Sequence, residues 1–367
     1  MKIFVKLIHL LIPVLLVWNL VACEMVVPSP PSPPQPCTDR ETALDFGFYA
    51  YFEPVSYSAD DNPAVPDFNT HLGYEADLLS ALEAMEYTGL SFARSGIAAW
   101  DRIWLLSAQP QFDMVGGGIT ILDSRTYNAS SERVVAFTSG HIAFRQSLLV
   151  RVADADRLAS HDLLTSDVRV GVLAGTTGEA RLLQLTGLAD DAGMLRAGTR
   201  IDTPQESVVS DGSADYAVTA AGASPALKGR MHLYPPRDDM PQVVYLGDDL
   251  GEEVNIAEAL RLGQVDAVAR GEIGNRDAVH ALGPDFTVTG LDSEVEFGGF
   301  TLPVENASLI ACINEKIDWL TDNRNIGYAE WRADPGVFRQ RADQWNAQWP
   351  KEEWHCFSFV DNRYCWQ

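Results

Sequence analysis

The sequence predicts an α/β fold with largely parallel sheets, and three observations carry that reading. Strand-like apolar runs alternate with segments of helical period along the body of the chain, as βαβ units require. A strand, Val168-Arg-Val-Gly-Val-Leu-Ala174, runs directly into Thr176-Thr-Gly-Glu179, which has the form of a helix capping box. The length, 367 residues, provides for about two domains of ~150 residues each.

The elements follow in order. Leu78, Leu79, Leu82 and Met85 recur at helical spacing between residues 74 and 86. Residues 100–106 read as a short helix and 112–115 as a strand that breaks into Gly116-Gly-Gly118. Asn255-Ile-Ala-Glu258 suggests a second cap, for a helix stopping near Gly263, after which 264–269 returns as a strand. Between residues 308 and 320, Leu309, Ile313, Ile317 and Leu320 form one apolar face. Residues 186–250 are rich in Gly, Asp and Pro and read as a loop-rich insertion without chemistry.

The N-terminus carries its own signals. Lys2 and Lys6 precede an apolar run interrupted by Pro13 and Asn19, too short for a comfortable membrane span. It ends in Leu20-Val-Ala-Cys23, which resembles a bacterial lipobox, so Cys23 is expected to carry a diacylglyceryl group after removal of a signal peptide, residues 1–22. The Pro-rich segment after it favours polyproline conformation at ~3.1 Å per residue, a semi-rigid stalk of roughly 40 Å within residues 23–40. The folded body is therefore expected outside the cytoplasmic membrane, in the periplasm or at the cell surface. Of the other four cysteines, Cys356 and Cys365 flank a polar turn and are the favoured pair; Cys37–Cys312 follows by elimination among three connectivities.

Composition excludes several function classes. Acidic residues outnumber basic ones 51 to 27, for a net charge of −24, and no basic run occurs, which argues against a nucleic-acid partner. Gly-x-Ser-x-Gly and His-Glu-x-x-His motifs are absent. Gly171–Thr176 lacks the lysine of a phosphate-binding loop, and Ile119–Ile121 break the dinucleotide glycine pattern. The histidines have no ligand spacing, so neither a metal nor a cofactor is expected. What remains suits a small anion-bearing solute. Tyr51, Phe52, Tyr57 and Trp100 lie near strand ends or helix starts; Gly116–Gly118 offer backbone N–H groups; Thr120 adds a hydroxyl. Arg125 offers a two-pronged grip for a carboxylate, and Thr176 and Thr177 open a helix whose N-terminus favours negative charge.

Six blocks stand in an order that resembles the type II solute-binding proteins of ABC transporters, in particular the polar amino-acid-binding family. They are Phe52-Glu-Pro-Val-Ser-Tyr57, Gly73-Tyr-Glu-Ala-Asp-Leu78, Trp100-Asp101 through Phe112–Ile121 to Arg125, Val135-Ala-Phe-Thr138, Gly171 to Gly175-Thr-Thr177, and Leu262-Gly-Gln-Val-Asp-Ala267. Tyr328-Ala-Glu-Trp331 resembles the closing region loosely, so the likeness runs from about Leu44 to Trp331.

The resemblance implies two lobes, each a mostly parallel sheet flanked by helices, joined by two hinge crossovers and closing on a ligand. Lobe 1 would take 41–146 and 295–345, lobe 2 147–294, and 346–367 would be a disulfide-bearing extension. Phe52 and Trp100 would sandwich the ligand, and Gly118 and Thr120 would bond it. Arg125 would hold an α-carboxylate, with Thr177 completing the clasp. Arg133, after an apparent insertion at 126–132, is a second cation candidate, and Tyr51, Tyr57, Gly117 and Thr176 are further contacts. The family's aspartate for the α-amino group falls at Gly271, with Glu272 adjacent as its substitute. The implied protein is a monomeric receptor, not an enzyme, that hands a small solute to an ABC permease. The rivals are an enzyme resembling cyclohexadienyl dehydratase, which would want a glutamate where Gly274 stands, and a sensor or scaffold lobe for a partner protein.

Overall fold

A computed structural model describes residues 34–247 and 256–349, and the backbone of two strands, His355–Phe359 and Asn362–Trp366. The expected signal peptide 1–22, the lipidation site Cys23, the stalk up to residue 33 and the Asn255 cap lie outside the described residues.

Two sheets organise the body. In the first, Leu44–Tyr49 pairs in parallel with Phe92–Ile97 and Met114–Gly116. Thr301–Pro303 then returns from far along the chain and lies antiparallel to Met114–Gly116 and to Val135–Phe137. Helix α1 (Tyr74–Ala84) forms because Tyr74, Leu78, Leu79 and Leu82 recur on one stripe, and all four are fully buried. They pack with Phe46, Phe48, Phe300, Phe338 and Trp345 into one core.

The second sheet has eight strands. At its centre Arg169–Val172 lies parallel to both Gln242–Tyr245 and Ala267–Gly271. Gln146–Arg151 and Phe286–Thr289 extend one edge, and His232–Tyr234, Arg200–Asp202 and Ser207–Val209 the other, all antiparallel. Val150, Val170, Val172, Val243 and Ala267 are fully buried, as expected of strands covered on both faces. Parallel pairing thus joins only three strands in each sheet, central ones in the second but including the edge strand Phe92–Ile97 in the first, so the sheets expected to be largely parallel are mixed. The physical reason is connection length: a parallel pair needs a crossover of a dozen or more residues, whereas short turns such as 203–206 permit only antiparallel return.

Residues 186–250 correct the sequence reading. They supply four of the eight strands of the second sheet. Each strand has only three or four residues, too few for a period-2 pattern to stand out from the Gly, Asp and Pro around it. The short helix expected at 100–106 is a 3-10 helix at Ile103–Ala108.

Helix α2 (Thr177–Leu185) starts where the capping box places it, with Thr176 accepting from the Glu179 N–H. Helices α3 (Ile256–Arg261) and α4 (Glu272–Leu282) flank the second sheet, and α5 (Ala307–Leu320), α6 (Tyr328–Ala333) and α7 (Val337–Asn346) complete the first lobe. Two antiparallel strands, Ile142–Phe144 and Glu296–Gly298, run between the lobes with Glu296 opposite Phe144. Both crossovers therefore meet side by side, the arrangement of a hinge.

Cys37 and Cys312 form a disulfide that ties the start of the body to α5. The strands His355–Phe359 and Asn362–Trp366 make a hairpin of their own in which positions 356 and 365 stand opposite each other; their side chains lie outside the described residues. Among the described residues no helix is long and apolar enough to cross a membrane, and no group of potential metal ligands clusters.

Candidate functional site

The glycine triplet is a seat for an anion, and the protein fills it with its own. Gly117 and Gly118 donate their N–H groups to the two carboxylate oxygens of Glu75, at 2.7 and 2.9 Å. His141 Nε2 reaches the same carboxylate at 3.0 Å. Gly117 and Gly118 have φ of +134° and +68°, and a Cβ on Gly118 would stand 2.5 Å from the Phe52 ring. The expectation that the Gly118 N–H serves a ligand is corrected here: that donor is taken, because α1 projects an acidic residue of its first turn onto the loop.

Arg125 is only 1% exposed, and each of its three guanidinium nitrogens faces a backbone carbonyl. Nε donates to Ala220 at 3.0 Å, Nη1 to Thr120 at 3.3 Å and Nη2 to Gly175 at 3.4 Å. Its Cζ lies 4.3 Å from the Trp104 ring centroid. Burial lowers its pKa to about 9, opposed by Glu296, so it stays a cation at neutral pH. Ala220 and Gly175 belong to lobe 2, so Arg125 stitches the lobes together. Trp100 Nε1 adds a second stitch to the Gly175 carbonyl, at 3.1 Å.

The turn that receives those stitches is braced from below. Glu179 accepts from Gly175 N at 2.7 Å, from Arg230 Nε and Nη2 at 2.8 Å each, and from Tyr245 OH at 2.7 Å. Burial alone would pull Arg230 down; the Glu179 carboxylate outweighs it and holds Arg230 above its ordinary value. Burial pushes the Tyr245 hydroxyl up, and Glu179 adds to it. Arg230 and Tyr245 both come from the stretch 186–250, so that stretch carries site structure after all.

Between the lobes lies a cavity of about 100 Å³, room for a small solute. Lobe 1 lines it with Tyr49, Phe52, Trp100, Gly118 and Thr120; lobe 2 with Thr176, Thr177, Gly178, Leu173, Leu246, Arg270 and Gly271; Phe144 and Gln146 stand at the crossover. Gln146 Nε2 donates to Thr177 Oγ1 at 3.0 Å and to Glu296 Oε2 at 2.8 Å, and the Thr120 and Thr177 hydroxyls approach to 3.4 Å. Burial raises the Glu296 carboxyl above its ordinary range, partly offset by its bonds to Gln146 and Thr177 and by Arg125.

The cavity thus brings together Phe52, Trp100, Gly118, Thr120, Thr176, Thr177 and Gly271 of the expected residues. The others stand elsewhere. Glu272 opens α4 with its carboxylate 3.9 Å from Arg145 Nε and 3.8 Å from Arg276 Nε, outside the lining. Arg133 pairs with Asp123 at the surface. Tyr51 donates to the Asp61 carbonyl, and Tyr57 pairs opposite it in a short ladder away from the cavity. Gly117 packs under Tyr49. Gln146, Arg270, Glu296, Glu75 and the Glu179–Arg230 pair were missed. Only Glu75 and Glu179 lay within quoted motifs, and their long-range partners have no signature in spacing.

No protein-family model matches the chain, and no curated protein matches it by sequence. Solved structures match its fold. An ancestral amino acid-binding protein, a precursor of cyclohexadienyl dehydratase, is 17% identical with a TM-score of 0.50, over 83% of this chain and 95% of that one. An amino acid ABC transporter substrate-binding protein from Streptococcus pneumoniae, bound to L-arginine, is 14% identical with a TM-score of 0.50, over 83% and 94%. The fold is that of the two-lobed type II periplasmic binding proteins. In this fold, the hinge strands, the interlobe cavity and the Arg125 and Trp100 stitches describe a closed arrangement of the lobes.

Proposed function

We propose that this chain is a solute-binding protein that captures a small polar, carboxylate-bearing solute by lobe closure and delivers it to an ABC permease, held at the membrane by a lipid on Cys23. Closure would bring lobe 1 (41–146 and 295–345) onto lobe 2 (147–294), with 346–367 as an extension. The observation that carries the reading is the interlobe cavity, whose walls belong to different lobes: Phe52 and Trp100 on one side, Thr177 and Gly178 at the start of α2 on the other. A ligand touching both walls binds the closed form more tightly than the open one and shifts the population toward it.

The two compared structures, an amino acid-binding protein and an amino acid ABC transporter substrate-binding protein, support the solute class as a proposal. An enzyme on this scaffold is disfavoured. Gly274 offers no acid, and a Cβ there would stand 2.7 Å from Arg270 Nε. Incubation with prephenate or arogenate is expected to give no product.

The test is a thermal-shift screen of the protein against amino acids, small carboxylates and polyamines. A ligand at a hundred times its Kd stabilises the native state by about 2.7 kcal/mol, a shift of several degrees. If none of these classes raises the melting temperature, the receptor reading fails and a partner-protein role takes its place. For the anchor, fatty-acid labelling that persists in Cys23→Ala would remove the lipoprotein assignment.

A further inference from the structure

One buried acceptor in the cavity wall narrows the ligand class, an inference that rests on the receptor reading. Gln146, the first residue of the strand Gln146–Arg151, is 3% exposed and lines the cavity. Both hydrogens of its amide are spent, since Nε2 donates to Thr177 Oγ1 at 3.0 Å and to the Glu296 carboxylate at 2.8 Å. A carboxylate accepts, so this contact fixes which end of the amide is nitrogen. Oε1 is the other end, and no group among the described residues donates to it. A buried acceptor without a donor bears its full desolvation cost, which a hydrogen bond from a ligand recovers.

The neighbours of Oε1 belong to the cavity wall. A Cβ on Gly178 would stand 3.3 Å from Oε1 and 3.0 Å from the Ala269 carbonyl oxygen, and Gly178 and Ala269 both line the cavity. Gly178 lies in the first turn of α2, where leading N–H groups have no intrahelical partner and favour a carboxylate. The bond from Nε2 to Glu296 polarises the amide and makes Oε1 a stronger acceptor.

The polar side chains of the wall stand together, Thr177 lying 3.0 Å from Gln146 and 3.4 Å from Thr120 through their polar atoms. Elsewhere Tyr49, Phe52, Phe144, Leu173 and Leu246 make the wall mostly apolar. A ligand that uses both the start of α2 and Oε1 therefore carries its carboxylate and its donor on neighbouring atoms, with an apolar body beyond them.

We propose that Gln146 is the specificity-determining residue of this cavity. Its Oε1 receives an N–H or O–H on the atom next to the ligand's carboxylate, as in a 2-amino or 2-hydroxy acid with an apolar body. Acids without that donor leave Oε1 unpaired and bind less tightly.

Titration calorimetry on the protein compares leucine, 2-hydroxy-4-methylpentanoate and 4-methylpentanoate, which share one carbon frame. The comparison is repeated with phenylalanine, 3-phenyllactate and 3-phenylpropanoate. In at least one set the amino or the hydroxy acid is expected to bind about tenfold or more tighter than the acid without a donor, and the tighter of the two identifies the donor. Gln146→Met, which keeps the length of the side chain and removes the amide, is expected to reduce that ratio below about threefold. Gln146→Asn, which withdraws the amide by one methylene, is the second variant and carries the same expectation. A Gln146 that served only the fold would weaken all three acids alike and leave the ratio unchanged. That result in either folded variant overturns the inference and leaves the receptor reading standing. So do donor-free acids that bind as tightly as their partners, or failure of both sets while the thermal-shift screen finds a ligand of another class. Absence of binding by every probe here and in that screen overturns both.

Discussion

The Arg125 Nε donates to the Ala220 carbonyl at 3.0 Å, across 95 residues of sequence and from one lobe to the other. A guanidinium that sequence alone offers as a carboxylate clasp is thereby part of the closure contact, while the Gly175 carbonyl joins it from a second loop.

Arg125→Met should therefore loosen closure. Hydrogen bonds to a charged group contribute about 1.5–3 kcal/mol each at most, and those to Ala220 and Gly175 cross the cleft. Small-angle scattering is expected to show a larger radius of gyration for the variant than for the wild type. Identical scattering curves would confine Arg125 to a role within lobe 1.

The Glu179–Arg230 pair is 0% and 4% exposed at its side chains, and Tyr245 shares the carboxylate. Removing one partner strands a buried charge, so Glu179→Gln is expected to lose about 3–5 kcal/mol in urea unfolding. Tyr245→Phe, which removes one neutral donor, should lose about 1–2 kcal/mol. Equal losses in the two variants would mean that the ion pair is not the dominant part of the brace.

Glu75→Ala is expected to leave the Gly117 and Gly118 N–H groups without their acceptor and to lower stability by about 2–5 kcal/mol. Adding acetate or formate to the variant should restore part of that loss, since the vacated seat is a carboxylate site. A variant that melts like the wild type would contradict the assignment of the triplet to Glu75.

Acid should destabilise the body through its histidines. Burial holds His71 well below its ordinary value, with Arg94 adding to the effect, while Ser56 Oγ lies 2.9 Å from its Nε2. Burial lowers His161 and His232 as well. A histidine whose folded pKa is depressed takes up its proton more readily when unfolded. Stability is therefore lost as pH falls below about 6.5, by up to ~1.4 kcal/mol per unit for the buried His71 and by less for the half-exposed His232. Glu296, raised by burial, acts in the opposite sense nearer the carboxylate range, so the effect is read between pH 7 and 5.5. Urea midpoints should fall across that range, and less steeply in His71→Gln. A flat profile would contradict the sign.

The sequence by itself determined what local physics decides. The Leu78, Leu79 and Leu82 stripe, the Thr176 cap and the glycine triplet, with positive φ at Gly117 and Gly118, follow from helical period, capping and backbone sterics, and each stands where spacing placed it. The alternation of these elements was enough for the fold class. Only the tertiary structure decided which group fills each seat. Glu75 reaches Gly117 from 42 residues away, and Ala220 takes Arg125 from 95 residues away. Residues 186–250 become half of a sheet because partner strands, not their own pattern, select them. The reason is range: backbone preference acts within a few residues, whereas charge pairing and desolvation are settled once distant elements have been packed together.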